Sequence, residues 1–227
     1  MSSYSVQHLL DQSTFHRPRV LLNPHANKDA YELYAEIDPA IEAFHSTFPD
    51  YAETPLHDLT SVARELGFAR VFLKDESIRF GLPSFKIVGG SWAVHRVLCR
   101  RLSLPASSTS FADLKSTLAA RKDDVRLVTC TDGNWGRAMA RMAKYLDVKV
   151  TIYVPGFMHL YTQTLLRDEG ADVRVVADGS YDEAIKAVRQ EESTTGALMI
   201  MDTSWDGYEE IPGVSVSVSI CCIGAIN

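Results

Sequence analysis

From Arg126 onward, apolar and polar positions come in blocks of the two periods that strands and helices require. Leu127-Val-Thr-Cys130 is a short apolar run, and Val148 to Val154 is a second one ending at Pro155-Gly156. Between them Trp135, Ala138, Met139, Met142, Ala143 and Leu146 recur at i, i+3, i+4, i+7, i+8 and i+11, which is one face of a helix. His159 to Glu169 reads as a helix stopped by Gly170, and Val173 to Val176 as a strand. Ser180-x-x-Glu183 is a capping box opening a helix whose apolar face holds Tyr181, Ala184, Ile185 and Val188. Leu198 to Met201 reads as a further strand. Strands alternating with helices of this length predict an α/β fold built on a doubly wound parallel sheet.

The first half is less regular. Residues 29–48 have helical spacing, with Pro39 interrupting or restarting the helix. Val71 to Lys74 reads as a short strand, and Ser84 as the cap of a helix carrying Ile87, Trp92 and Val94 to Leu98. Residues 103–124 form a polar stretch, read as a surface insertion with one short helix starting near Phe111. The tail from Gly213 alternates Val with Ser and carries no charge, which is strand-like and prone to aggregate. The chain is read in three parts, 1–90, 91–205 and a return segment with an atypical tail, 206–227.

In an open α/β sheet, ligands bind beyond the carboxyl ends of the strands. Two polar loops leave strand ends here, Thr131-Asp-Gly-Asn134 and Asp202-Thr-Ser-Trp205, so parallel strands would bring Asp132 and Asp202 to one edge.

Composition narrows the function classes. The 227 residues are 46% hydrophobic and 23% charged, as in ordinary globular proteins. A net charge of −6 argues against nucleic acid or an anionic membrane surface as partner. Cys99, Cys130, Cys221 and Cys222 form no C-x-x-C pair, so neither a disulfide framework nor a zinc site is indicated, and a reducing, cytoplasmic setting fits. Met1 to Asp11 lacks the pattern of a signal peptide, and the uncharged run from Ile211 is short for a membrane span. The seven histidines have no metal-ligand spacing, and neither a P-loop nor a G-x-G-x-x-G is present.

Three stretches could carry chemistry. In Arg79-Phe-Gly-Leu-Pro-Ser-Phe-Lys86, the lysine falls in the first turn of a helix. The helix dipole disfavours a cation there and would favour the neutral amine that Schiff-base chemistry needs. The plain alternative is a solvated lysine near a helix end. In Thr131-Asp-Gly-Asn-Trp-Gly-Arg137, a glycine loop at a helix N-terminus offers backbone amides to an anion or polar ring. Asn134 can donate a hydrogen bond and Asp132 can act as a base, but an ordinary Asp-Gly turn reads as well. Asp202 to Pro212 alone reads as an acidic surface loop with a packed Trp and Tyr.

Taken together and in order, R-F-G-L-x-S-F-K, T-D-G-N-x-G-R and D-T-x-W-x-G-Y-E-E-I-P resemble the diaminopropionate ammonia-lyases, fold type II enzymes of the tryptophan synthase β superfamily that use pyridoxal 5'-phosphate (PLP). Thr54-Pro-Leu56, Leu73-Lys-Asp-Glu-Ser77, Tyr153-x-Pro155 and Gly170-Ala171 add to the likeness, which runs over about residues 20–212. The resemblance implies an α,β-elimination on a small amino-acid substrate, with Lys86 holding the cofactor. It also implies Gly133 and Asn134 beside the cofactor, Asn134 at its ring hydroxyl. Asp132 is implied as base for one substrate enantiomer with Lys86 serving the other, and Asp202 beside the distal amine. Complete members are expected to be homodimers. A serine/threonine dehydratase on the same fold, or a non-catalytic truncated homologue, are the competing readings. The sequence departs from the family at Trp135, where many bacterial members have His, which puts local substrate contacts in question. It departs again after Pro212, where no glycine-rich phosphate loop follows. The tail is expected to be foreign sequence from a read-through intron or a frameshift.

Overall fold

The computed structural model describes residues 3–7, 14–18, 38–121, 125–177 and 179–224. Two compact units are present, Met1–Ala35 and Glu36–Asn227. In the first, strands β1 (Ser3–Gln7) and β2 (Thr14–Pro18) pair antiparallel, Ser3 opposite Pro18. The expected helical stretch 29–37 lies outside the described residues.

The second unit starts with α1 (Pro39–Ser46), so Pro39 begins the helix rather than breaking it. At the first helical position its missing N–H costs nothing, and the Asp38 side chain caps the next amide. β3 (Leu56–Asp58), α2 (Thr60–Leu66) and β4 (Phe72–Lys74) follow, β3 and β4 pairing antiparallel. α3 (Lys86–Leu102) and α4 (Phe111–Arg121) come next. The stretch read as a polar insertion is only partly one, because Phe111, Leu114 and Leu118 of α4 join the core.

The remaining elements are β5 (Arg126–Cys130), α5 (Asn134–Leu146), β6 (Lys149–Pro155), α6 (Leu160–Asp168), β7 (Asp172–Val176), α7 (Tyr181–Thr195), β8 (Leu198–Met199) and α8 (Glu210–Gly224). The four strands form one parallel sheet in the order β7-β6-β5-β8. Both faces are covered, as the period of the side chains demands. Leu127 points into a cluster with residues of α3, α4 and α5, whereas Val128 and Cys130 point into a second cluster with Ala184 and Val188 of α7. Since α7 carries the chain from one edge strand to the other, β8 ends beside β5. The boundary read at residue 90 falls inside α3, and residues 36–227 pack as one unit.

The tail departs from the strand expectation. Residues 210–224 are helical, with Ile211, Ser215 and Val218 buried, and this helix packs on α3. Those three positions are spaced i, i+4, i+7, a helical face. At its first turn, Glu210 accepts from Arg96 (3.1 Å) and Arg100 (2.5 Å), neighbours one turn apart on α3.

α1 docks on α3 through His45, 5% exposed, whose Nε2 lies 2.8 Å from Ser91 Oγ and 3.2 Å from the Val88 carbonyl. Burial is the main cause that lowers its pKa from 6.5 to about 4, against the opposing pull of the Val88 carbonyl. The unfolded chain therefore binds one more proton between those values, so this contribution is full above pH 6.5 and is lost as pH falls towards 4. A loss on the order of 3 kcal/mol is expected across that window. Denaturant titrations at pH 7 and pH 4.5 check it, with His45→Gln expected to flatten the dependence.

Candidate active site

The lysine segment is held from behind by a buried polar network. Arg79 donates to both oxygens of Glu76 (2.6 and 2.7 Å) and to Thr54 Oγ1 (2.8 Å), which itself donates to Glu76. Lys74 Nζ donates to the Thr54 carbonyl. Burial pushes the Glu76 carboxyl up, but Arg79, Thr54 and Lys74 outweigh it and hold the group below the usual range. Thr54, Lys74, Glu76 and Arg79, scattered through three stretches of the sequence, thus form one assembly.

After Arg79 the chain reverses in a turn whose two central residues, Phe80 (φ 48°) and Gly81 (φ 71°), are both left-handed, closed by Leu82 N–H to the Arg79 carbonyl. Such φ values are costly for a bulky residue. Burial of the Phe80 ring against His45 and Phe48 offsets the cost, and Arg141 Nη1 donates to its carbonyl at 3.0 Å. Only glycine suits the second position: a Cβ there would meet Arg141 Nη1 at 3.1 Å. The N-cap of α3 is Phe85 and not Ser84 as expected, and it makes no side-chain cap; Ser84 Oγ, one residue earlier, accepts from the amide of Lys86 (3.2 Å), the first residue of α3.

Lys86 Nζ reaches across to Asp202 Oδ2 at 2.7 Å, with the two side chains 38% and 15% exposed. The first and third motifs, 116 residues apart, therefore meet in an ion pair at the carboxyl edge of the sheet. Asp202 follows β8 and Asp132 follows β5; because these strands are parallel neighbours, both carboxylates are at this edge. This counter-charge beside Lys86 is supplied only by the folded chain.

Between β5 and α5, Thr131 organises the loop. Its buried Oγ1 accepts from the amides of Gly133 and Gly136, both at 3.0 Å. Asp132 and Asn134 are exposed, Gly133 is half-buried, and neither polar side chain makes a hydrogen bond to another described residue. Gly136 is needed for close approach, since a Cβ there would lie 2.2 Å from Thr131 Cγ2. Gly136→Ala is expected to displace Thr131 and cost about 1–3 kcal/mol, measured by denaturant unfolding.

Trp135 does not face the site. It is 3% exposed, and its Nε1 donates to Thr129 Oγ1 (3.0 Å) and the Ile200 carbonyl (3.3 Å). Trp135 is therefore a core residue in this chain, as its helical spacing indicated.

In the third motif, Trp205 and Tyr208 stack with ring centroids 4.5 Å apart around a turn with Gly207 at φ 85°. Tyr208 Oη accepts from the Met201 amide and donates to the Met199 carbonyl, finishing β8 just before Asp202. Two residues that the sequence did not single out as site residues also lie here. Tyr181 Oη is 3.4 Å from Thr203 Oγ1, next to the buried Cys130 thiol. Burial is the chief cause pushing that thiol up to about 12, and Asp202 and Asp132 add to it.

The donor set suits PLP at one end. An accessible amine is paired to a carboxylate, and beside it a helix N-terminus carries a free carboxamide. Residues 47–212 match the family described as "Pyridoxal-phosphate dependent enzyme". A diaminopropionate ammonia-lyase of Salmonella typhimurium is 39% identical over 79% of this chain and 45% of its own length. The crystal structure of the Escherichia coli diaminopropionate ammonia-lyase in apo form superposes with a TM-score of 0.74 at 30% identity, covering 85% of this chain and 52% of that one. The same enzyme in complex with D-serine gives 0.74 at 31% identity, covering 80% and 46%. The chain thus spans about half the length of the relatives it matches.

Proposed function

The chain belongs to the family of pyridoxal-phosphate dependent enzymes, with their fold type II architecture, and from that premise we propose that it is the lysine-bearing half of a diaminopropionate ammonia-lyase. The observation that carries this reading is the Lys86–Asp202 ion pair of 2.7 Å, which joins two of the three motifs beside the Asp132–Asn134 loop. When bound, the cofactor supplies an electron sink for the charge left by loss of the substrate's α-proton. Lys86 holds the cofactor and takes the proton from one enantiomer; Asp132 takes it from the other. Gly133 and Asn134 would hold the cofactor, the Asn134 carboxamide being able to donate a hydrogen bond to its hydroxyl. Asp202, released by Lys86, faces the substrate's β-ammonium group. The α-proton is lost, the carbon–nitrogen bond at the β-carbon breaks, and ammonia leaves. The aminoacrylate takes up water to give pyruvate and a second ammonia.

A coupled assay tests this: the full chain with PLP and each enantiomer of 2,3-diaminopropionate is expected to form pyruvate. Asp132→Asn should lower the rate with one enantiomer roughly a hundredfold or more and spare the other. Equal loss on both would remove Asp132 as the enantiomer-specific base, and pyruvate from serine or threonine alone would favour the dehydratase reading.

A second reading has an observation of its own. Leu56, Phe68, Phe72, Leu73 and Ile78, in and around β3 and β4, are exposed at 40–63%, as expected if this face packs on a complementary polypeptide. In that reading the chain is non-catalytic alone and works with a complementary polypeptide. We place the protein in the cytoplasm, where the free buried thiols of Cys99 and Cys130 stay reduced, and expect a homodimer for the complete form. Among the described residues, no helix is long and apolar enough to cross a membrane.

A further inference from the structure

Tyr181 opens α7 at the carboxyl edge of the sheet, fixed there by the capping box of Ser180 and Glu183. Its hydroxyl lies 3.4 Å from Thr203 Oγ1, and its side chain packs against the cluster that contains Cys130. Thr203 directly follows Asp202, and Cys130 is the last residue of β5, two positions before Asp132. One side chain thus contacts the exit from β8 through its hydroxyl and packs in the cluster that holds the end of β5. Its ring packs against the α7 cluster of Val128, Ala184 and Val188, so the hydroxyl sits on a rigid stem.

We propose that Tyr181 is a specificity-determining positioning residue, whose hydroxyl ties the Asp202–Thr203 loop to the start of α7 and thereby sets where Asp202 meets a β-ammonium group on the substrate. The proposal rests on the reading of the site as a diaminopropionate ammonia-lyase. Tyr181 stays a neutral phenol throughout, because burial, and after it the neighbouring Cys130 and Asp202, push its ionisation far above neutral pH. It therefore acts as a hydrogen-bonding brace and not as a proton carrier. A substrate with a β-hydroxyl has no charge for Asp202 to meet, so loosening that loop harms the diamine selectively.

The test compares kcat/KM for 2,3-diaminopropionate with that for serine in wild type, Tyr181→Phe, Thr203→Val and the double variant. Loss of one hydrogen bond predicts a fall in that ratio of about three- to tenfold in each single variant. The double variant should lose no more than either single, because both remove the same contact. Equal losses on both substrates, or additive losses, would overturn the proposal. Backbone hydrogen exchange on the full chain without substrate supplies a readout independent of catalysis. Residues 202–205 should exchange faster in both single variants than in wild type and in Tyr161→Phe, a change at an exposed ring. If wild type forms no pyruvate from either substrate, the functional reading falls on its own; the brace then stands with faster exchange and falls with unchanged exchange.

Discussion

Replacing Arg79 with methionine is expected to destabilise the chain by about 3–5 kcal/mol, because it strands a buried carboxylate. Arg79 and Glu76 have side chains only 9% and 11% exposed, and their contact is bidentate. Without the guanidinium, Glu76 keeps only Thr54 and the more distant Lys74 charge to offset its burial. Thr54 also loses the donor that orients it. Against a total stability of about 5–15 kcal/mol, such a loss is large. The cost should shrink at low pH, where Glu76 protonates: its native carboxyl is held below the ordinary range, so the stability supplied by the pair is present above the unfolded pKa and lost as pH falls through the folded one. Adding Glu76→Leu should restore most of the loss, since removing both charges leaves none unpaired. Urea unfolding of the single and double variants checks both statements. A cost below about 1 kcal/mol, typical of an exposed ion pair, would show that this network does not hold the lysine segment.

The second large effect is on chemistry. Lys86→Ala is expected to lower pyruvate formation by on the order of 1,000- to 10,000-fold, since it removes both the cofactor's attachment point and one base. Stability should change by less than about 1 kcal/mol, because Lys86 is 38% exposed and its ion pair with Asp202 is partly solvated. Lys86→Arg keeps a cation near Asp202 but cannot bond the cofactor, so it should be as inactive as the alanine variant. An active Lys86→Arg protein would reduce the lysine to the role of a counter-ion. Together the two large effects separate scaffold from chemistry, one lowering stability and the other leaving it nearly unchanged.

Physical causes decide which parts could be read from the chain alone. Between Arg126 and Thr195, hydrophobic period, capping box and glycine stops agree with one another, and strands, helices and parallel order followed from them. The tail defeated the same logic. Alternating Val and Ser satisfies the period of a strand, while the burial of Ile211, Ser215 and Val218 satisfies that of a helix; packing on α3 and the contacts of Glu210 with Arg96 and Arg100 selected the helix. The three-residue strands β3 and β4 are too short for periodicity to mark both, and each depends on the other for its hydrogen bonds. At the site, topology alone brought Asp132 and Asp202 to one edge. The Lys86–Asp202 bond, the bracing by Thr131 and the place of Tyr181 were not legible, because a hydroxyl or a counter-ion takes its meaning from neighbours far away in sequence. Trp135 shows the converse: its helical spacing put it in the core, and its position inside a motif suggested the site.

The central claim is that Lys86 bonds the cofactor, and trapping that bond tests it most directly. The full chain is mixed with pyridoxal 5'-phosphate, reduced with borohydride, digested and mapped by mass spectrometry. A visible absorption band is expected before reduction and, afterwards, one phosphopyridoxyl adduct on the peptide carrying Lys86, absent from Lys86→Ala. No band and no adduct, or an adduct spread over exposed lysines such as Lys144, would contradict it.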